Sequence, residues 1–397
     1  MSGVLAEPLG SLHIVATLRR FVDLLSSSQG PNAGLKVVVT GGGVALVTSS
    51  SARIVRNLQL EDPVCLFVGQ VVKAQLERCG DSGLYAGILM CRVVERVLSR
   101  EDRLDVQRAS RIIQRVALKL VRCLEEDGVR IPVEFSSVGQ MLGVVRCVLS
   151  TKPACGLRKD DRESLAVSIV KAFLGTVEND MGHVIVTTGD GASVGFRVYR
   201  GILYQATDET LQSCYDGCNV SLLLFNFMLT ENQKDDKISS KRSVDISAED
   251  VGRENMLDDI LSVFREAVKL NVKIIACQKV VHQSLKIYLR RKGILLLDRL
   301  GTAAASELAK LSGAVPISSV GSDVIDSLDS LLGRVDSVRL VHHDGKPYLC
   351  LERTDGNILT LFINAIGEEA TSELQVLSQF WIKLAHIPPQ AVCAQSY

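Results

Sequence analysis

Aromatic residues are scarce in this chain. They make up 5% of it, while apolar residues as a whole reach 47%. Core volume must therefore come from valine, leucine and alanine. Net charge is also lacking, because 45 basic residues balance 45 acidic ones. That argues against a bulk electrostatic pull toward nucleic acid or membrane. No apolar run reaches the roughly 20 residues of a membrane span, and no basic-then-apolar signal pattern opens the sequence. A soluble, cytosolic protein is expected, with no nucleic acid partner and no membrane insertion. Zinc-site spacing is missing too. The one close cysteine pair, Cys214 and Cys218, has no second Cys/His pair to complete a tetrahedral site. The eleven cysteines are scattered, and Cys91, Cys123, Cys147 and Cys277 fall in apolar helices or strands. That is the usage of a reducing compartment, with cysteine as a small hydrophobe.

What is present is most legible between Asn271 and Ser319. Val272–Ala276 and Gly293–Leu297 are apolar runs of buried-strand length. Gln283–Arg291 lies between them, with Leu285, Tyr288 and Leu289 at helical spacing and Gly293 as its stop. Thr302–Ser312 repeats the plan, and Ala314–Ser318 is predicted as a third strand. Strands alternating with short helices predict a parallel sheet with right-handed crossovers.

At 397 residues the chain should hold two or three domains. The first block reads as nearly all helix, over Ser11–Ser28, Pro63–Arg78, Leu84–Leu98 and Arg103–Glu125, with two short strands at Gly34–Thr40 and Gly43–Thr48. Two further helices are predicted at Phe135–Leu149 and Arg162–Leu174. Strand patterns follow at His183–Thr187, Ser193–Tyr199, Gly201–Tyr204 and Asn219–Phe227. The charged segment Glu231–Glu254 is predicted as a solvated loop or arm, and Met256–Leu270 as a helix. A polar loop after Ser319, strands at Ser337–Val341, Pro347–Glu352 and Ile358–Ile363 and a helix at Gly367–Leu384 complete the reading. His342-His343 is expected to lie exposed in a turn before Asp344-Gly345. Gly182–Thr188 lacks the second glycine and the Lys-Ser/Thr of a Walker loop.

Several strings carry a family resemblance. Cys277-Gln278-Lys279 after a first strand, a Gly-Ile start to the second, and Leu308–Ala314 before the third resemble the apical domain of group II chaperonins. CQKVVHQSL (Cys277–Leu285), ILLLDRLG (Ile294–Gly301), IPVEFSS (Ile131–Ser137) and VLSTKPAC (Val148–Cys155) are similar to one divergent chaperonin-like branch of vertebrates. The resemblance spans about nine-tenths of the chain. It implies a multidomain α+β fold: a helical equatorial half at 1–130, a small intermediate domain at 131–185, an α/β apical, client-binding domain at 186–365, and a returning helix with a divergent tail at 366–397. The C-terminal equatorial half is not in this sequence, so the apolar faces of Pro63–Leu98 and Arg103–Glu125 are expected to be uncovered and the isolated protein unstable.

The resemblance also implies where nucleotide chemistry belongs. Chaperonin phosphate loops work through backbone N–H groups converging at helix ends. The first loop corresponds to Gly30-Pro31-Asn32-Ala33-Gly34-Leu35-Lys36, which keeps Gly30, Pro31 and Lys36 but places Ala33 where the family has a second glycine. The second corresponds to Thr48–Arg53, which has lost the family's Asp and Gly; Arg53 could pair with a phosphate there, but is read ahead of that as solvated. The third keeps Gly80 and Asp81, the family's magnesium ligand, but loses the hydroxyl residues after it. The reading placed ahead of a working magnesium ligand is that Asp81 is an N-cap for a Ser82–Leu98 helix. The implied cofactors, ATP and magnesium, are therefore expected to bind weakly or not at all, and ATP hydrolysis is not expected. The basic run Lys286, Arg290, Arg291 and Lys292 is the candidate surface for partners. The resemblance implies that these are other chaperonin-like proteins and subunits of a ciliary trafficking complex, in the cytosol and near the centrosome or basal body. The alternative is an ATP-dependent folding chaperonin acting in a ring.

Overall fold

The computed structural model describes residues 12–385 apart from 30–33, 40–42, 44, 80–81, 100–105, 126–133, 135, 151–154, 178–181, 208–216 and 231–248. The chain forms two compact units, the first of residues 1–173, 188–196 and 363–397, the second of 174–187 and 197–362.

The first unit is a helical assembly. Helix α1 (Leu12–Ser26) places Ile14, Leu18, Phe21, Val22 and Leu25 on one buried face at three- and four-residue spacing. That face meets Cys65, Val68, Val72 and Leu76 of α3 (Pro63–Cys79) and Leu84 and Cys91 of α4 (Gly83–Leu98). Each fully buried leucine or valine here stabilises the unit by about 1.5–3 kcal/mol. Gly87 sets how closely the helices approach, since a Cβ there would lie 2.9 Å from side-chain atoms of both Leu25 and Val72. At the rim, Arg19 Nε donates to Glu95 Oε1 at 2.6 Å and Arg92 Nη1 to Oε2 at 3.0 Å, and the Arg19 bond holds the Glu95 carboxyl below its usual range. Strands β1 (Lys36–Val39) and β2 (Ala45–Thr48) pair antiparallel and lead into the short helix α2 (Ser51–Asn57). Helix α5 (Val106–Glu125) stands almost bare, and α6 (Val138–Ser150) buries Met141, Val145 and Leu149. Helix α4 starts at Gly83 with Ser82 at its cap position, at φ 65°, and the Ser82 side chain makes no capping hydrogen bond; Asp81, read as the cap, lies outside the described residues.

The chain changes unit at α7 (Lys159–Val177), β3 (His183–Asp190), β4 (Gly195–Arg200) and β11 (Ile358–Ala365). The three strands form a sheet of order β3–β11–β4.

The second unit is built on a six-stranded sheet. Its strands are β5 (Ile202–Gln205), β6 (Gly217–Phe225), β7 (Ile274–Cys277), β8 (Leu295–Leu297), β9 (Gly333–His343) and β10 (Lys346–Glu352), in the order β5–β10–β9–β6–β7–β8. Strands β6, β7 and β8 run parallel, as the alternation of strands and helices predicts, while β9, β10 and β5 join antiparallel and make the sheet mixed. Period-two alternation sends Leu222 and Leu224 to one face, beneath Ala305, Leu308 and Leu311 of α10 (Gly301–Ser312). Leu223 and Phe225 go to the other, against Phe264 of α8 (Glu249–Lys269) and Leu285 and Leu289 of α9 (Gln283–Arg291). A two-residue turn joins β9 to β10, with Asp344 and Gly345 at φ 45° and 80°, the left-handed pair that tight hairpins favour.

Three expectations are revised. Ala314–Ser318 is not a strand; it meets the sheet through one parallel bridge, Phe225 to Ile317, flanked by hydrogen bonds from Ile317 N to Leu224 O and Asn226 N to Ile317 O. Pro316 offers no N–H to extend that pairing. Helix α8 begins at Glu249, inside the segment read as a charged loop. The polar stretch after Ser319 contains α11 (Ser322–Asp326) and a 3₁₀ turn at Leu328–Leu331. No helix among the described residues is long and apolar enough to cross a membrane. Helix α2 is not foreseen by the pattern, its segment being read only as a nucleotide loop; the remaining elements appear where the pattern places them, including the last helix, α12 (Glu368–Ala385).

Candidate functional site

In the first unit, polar groups converge at the turn from β2 into α2. Thr48, Ser50 and Ser51 are buried there. Thr48 Oγ1 accepts from Ser50 N at 3.0 Å and donates to Glu373 Oε1 of α12. Arg53, one turn into α2, places Nη1 3.4 Å from the same carboxylate oxygen and 3.3 Å from the Glu369 carbonyl. Glu373 is fully buried, and 15% of the Arg53 side chain is exposed. Arg53 is thus a mostly buried partner of a carboxylate, not the solvated arginine expected. Serine and threonine suit a turn entering a helix because their hydroxyls bond nearby backbone. Two polar atoms beside this cluster, Ser49 Oγ and Glu373 Oε2, are buried with no hydrogen-bond partner among the described residues.

This is the segment that the sequence matches to the second nucleotide element. Thr48 Oγ1 and the Arg53 guanidinium, side-chain donors of this turn, are held by a buried carboxylate, whose negative charge opposes that of a phosphate placed beside it. The described residues therefore do not fit a nucleotide phosphate at this turn. Of the other candidates, Lys36 lies half-exposed on β1. Gly30, Pro31, Gly80 and Asp81, and with Asp81 the magnesium position, lie outside the described residues, as does Cys214. No group of three or more metal-ligating side chains exists among the described residues.

In the second unit, the candidate partner surface splits in two. Arg290, Arg291 and Lys292 at the end of α9 are exposed, and Lys292 Nζ sits 6.0 Å from the Tyr288 ring centre. Lys286 is not part of an open basic face: its Nζ pairs with Asp298 Oδ2 at 2.7 Å, and both side chains are 15% exposed. Tyr204 Oη donates to the Asp298 carbonyl at 3.1 Å, and burial pushes its phenol up. A lysine four residues before Arg290 on the same helix gave no sign in sequence of a partner twelve positions on. His343 also departs from expectation. It is half-buried, stacked on Phe362 at 4.1 Å between ring centres, with Nε2 2.7 Å from Tyr199 Oη and Tyr348 edge-on. His342 is exposed as expected, but both histidines end strand β9 and do not lie in a turn.

An open cleft of about 400 Å³ lies between Gly182–His183, Lys310 and Arg353–Ile358. Its basic side chains are already engaged: His183 and Lys310 face Glu307 Oε1 at 3.6 and 3.2 Å, and Arg353 Nη1 donates to the Leu311 carbonyl at 3.0 Å. The buried thiols are equally inert, with burial holding Cys91 and Cys277 at about 11 and Cys350 at about 12.

The pattern of the TCP-1/cpn60 chaperonin family matches residues 21–377. The chain belongs to this family. It is 28% identical over 386 residues to molecular chaperone MKKS of Mus musculus and 29% identical over 388 residues to that of Homo sapiens, covering 94% of this chain in both. Thermosome subunit alpha of Aeropyrum pernix matches at 23% over 327 residues, covering 77% of this chain and 56% of its own. The chain spans 66% of the length of the MKKS proteins. A group III chaperonin crystallised in the open state shares the fold, with a TM-score of 0.69 and 16% identity over 94% of this chain and 73% of its own. The chaperonin-subunit fold expected from the apical strings is therefore the fold observed.

Proposed function

We propose that this protein is a chaperonin-like assembly factor that holds partner proteins through its second unit, with little or no ATP hydrolysis. The α/β unit acts as the apical, client-binding module. The first unit acts as the equatorial-like base, from which phosphate chemistry has been withdrawn. The partners are other chaperonin-like proteins and subunits of a ciliary trafficking complex, met in the cytosol and near the centrosome or basal body. The observation that carries this reading is Glu373, a buried carboxylate holding Thr48 and Arg53 where a phosphate loop would need free donors. Hydrolysis requires a positioned water, a base and cationic clamps on the leaving phosphate, and an occupied Arg53 removes one clamp.

The test is a calorimetric ATP titration with and without magnesium, joined to a turnover assay. Expected is no hydrolysis above buffer background and no change with Asp81→Ala. Turnover that Asp81→Ala abolishes would favour an ATP-driven ring foldase instead. Pull-down of a large hetero-complex, lost when Arg290, Arg291 and Lys292 are reversed in charge, tests the partner surface.

A further inference from the structure

The open cleft of the second unit has three walls: Gly182–His183 at the start of β3, Lys310 and Leu311 at the end of α10, and the turn between β10 and β11 that carries Arg353, Asp355 and Asn357. The first and third walls are fixed to each other. His183 N donates to the Asn357 carbonyl at 2.6 Å, and a Cβ at Gly182 would collide with that same oxygen. Gly356 presses the turn onto α10, since a Cβ there would lie 3.0 Å from Leu311 Cδ1. The volume of about 400 Å³ falls within the range of about 300–1,000 Å³ usual for ligand sites.

The basic side chains of the cleft are held in place but not equally neutralised. Lys310 and His183 share one carboxylate oxygen, Glu307 Oε1, and both side chains are more than half exposed. Contacts of that kind contribute little, so Lys310 is free to turn to another acceptor. Arg353 is half-buried. Its side chain makes one hydrogen bond among the described residues, to the Leu311 carbonyl, and no carboxylate lies within ion-pair distance of it. Its charge reaches Asp336, but that carboxyl is held below its usual range first by its bonds with Thr354 and only last by Arg353. One of a guanidinium's five N–H donors is therefore used, and it sets the plane of the others. A shielded cation without a counter-charge is unfavourable, and the planar fork of arginine matches a carboxylate through two parallel bonds. Asn357, exposed on the same wall, offers a carboxamide to a neighbouring peptide group. Asp355 stands exposed beside it, and its charge favours a singly charged carboxylate over a doubly charged phosphate. We propose that this cleft recognises a polypeptide carboxylate, from a chain terminus or an acidic side chain, with Arg353 as the fork and Lys310 as the second cation. This rests on the reading of the second unit as the module that holds polypeptides, and names what one of its sites grips.

Anisotropy titrations of the full chain use three short Gly-Ser peptides carrying an uncharged dye at the N-terminus. The first ends in a free carboxylate, the second is amidated, and the third is amidated with one internal glutamate. Expected is saturable binding of the first or the third and none of the second; whichever binds tells a chain terminus from an acidic side chain. Arg353→Gln should weaken that binding by about tenfold or more through loss of the charged fork. Arg353→Lys should recover part of it, because the charge returns without the fork. Lys310→Glu should weaken it as well. That exposed substitution leaves the bond to the Leu311 carbonyl in place, so it reads the site even if Arg353→Gln does not fold. Acetate should compete better than inorganic phosphate at matched ionic strength. No saturable binding, equal binding of the amidated peptide, or indifference to the Arg353 and Lys310 substitutions overturns the site. Competition by phosphate as strong as by acetate overturns its choice of a carboxylate. A pulled-down complex without peptide binding sinks the site and leaves the partner-holding reading standing; peptide binding without any complex supports the site and sinks that reading.

Discussion

Thr48 and Glu373 lie 325 positions apart and share a buried hydrogen bond, with the threonine hydroxyl donating to the carboxylate. The bond ties the turn after β2 to the helix that returns near the end of the described chain. Removing one side leaves the other buried without a partner, which costs about 1–3 kcal/mol for a neutral group. Thr48→Val should therefore lower stability to denaturant by that amount. Glu373→Leu should cost about 3–5 kcal/mol, because it also strands the Arg53 guanidinium. A double-mutant cycle of Thr48→Val with Glu373→Leu should show a coupling energy well above zero. Strict additivity would mean that the contact is incidental.

The α/β unit was legible in sequence because its strands are buried on both faces. Ile274–Cys277 is buried at every position, so an uninterrupted apolar run was its signature. Helix α8 was read short because its first turns carry charge and a glycine; its order comes from Ile260, Val263 and Phe264 packing further along. Ala314–Ser318 has strand composition, but Pro316 and an exposed Val315 limit it to one bridge. The candidate site was legible only as a damaged motif. A serine-rich turn does not announce that its partner is a glutamate on a distant helix, and periodicity carries no information about which charged residue of a helix is paired.

Lys286 and Asp298 offer a contrast within one basic run. Their side chains are mostly shielded from water and paired at 2.7 Å. Asp298→Ala leaves a half-buried ammonium without its counter-charge, and a loss of about 3–5 kcal/mol is expected at the buried limit, less in proportion to the remaining exposure. Arg291→Ala, on an exposed position of the same helix, should stay within about 0.5 kcal/mol. Urea unfolding of the two variants reads the difference directly. Equal effects would return Lys286 to the solvated surface.

The core of the second unit predicts a further asymmetry. Phe264 is fully buried, edge-on to Phe225 at 6.0 Å and stacked on Tyr288 at 6.4 Å. Phe264→Ala should cost about 3–5 kcal/mol through lost contacts and a cavity. Leu120→Ala removes a larger exposed patch than it removes packing, so stability should be unchanged while solubility rises. A large destabilisation by Leu120→Ala would show α5 to be covered in solution.

His343 gives the unit an acid-sensitive point. Burial is the main cause lowering its pKa, with the Arg197 charge adding to it and Asp344 opposing. The neutral ring is the form that stacks on Phe362 and meets the Tyr199 hydroxyl. A base whose pKa is depressed by folding binds its proton more readily in the unfolded chain. Its contribution to stability is therefore complete above the unfolded value of about 6.5 and is lost as pH falls through the folded pKa. The melting temperature of the protein should decline on acidification below that value. His343→Phe keeps the stack and removes the titration, so the decline should flatten while stability at pH 8 falls modestly from the unpaired Tyr199 hydroxyl. A parallel decline in both proteins would assign the acid sensitivity to carboxylates elsewhere.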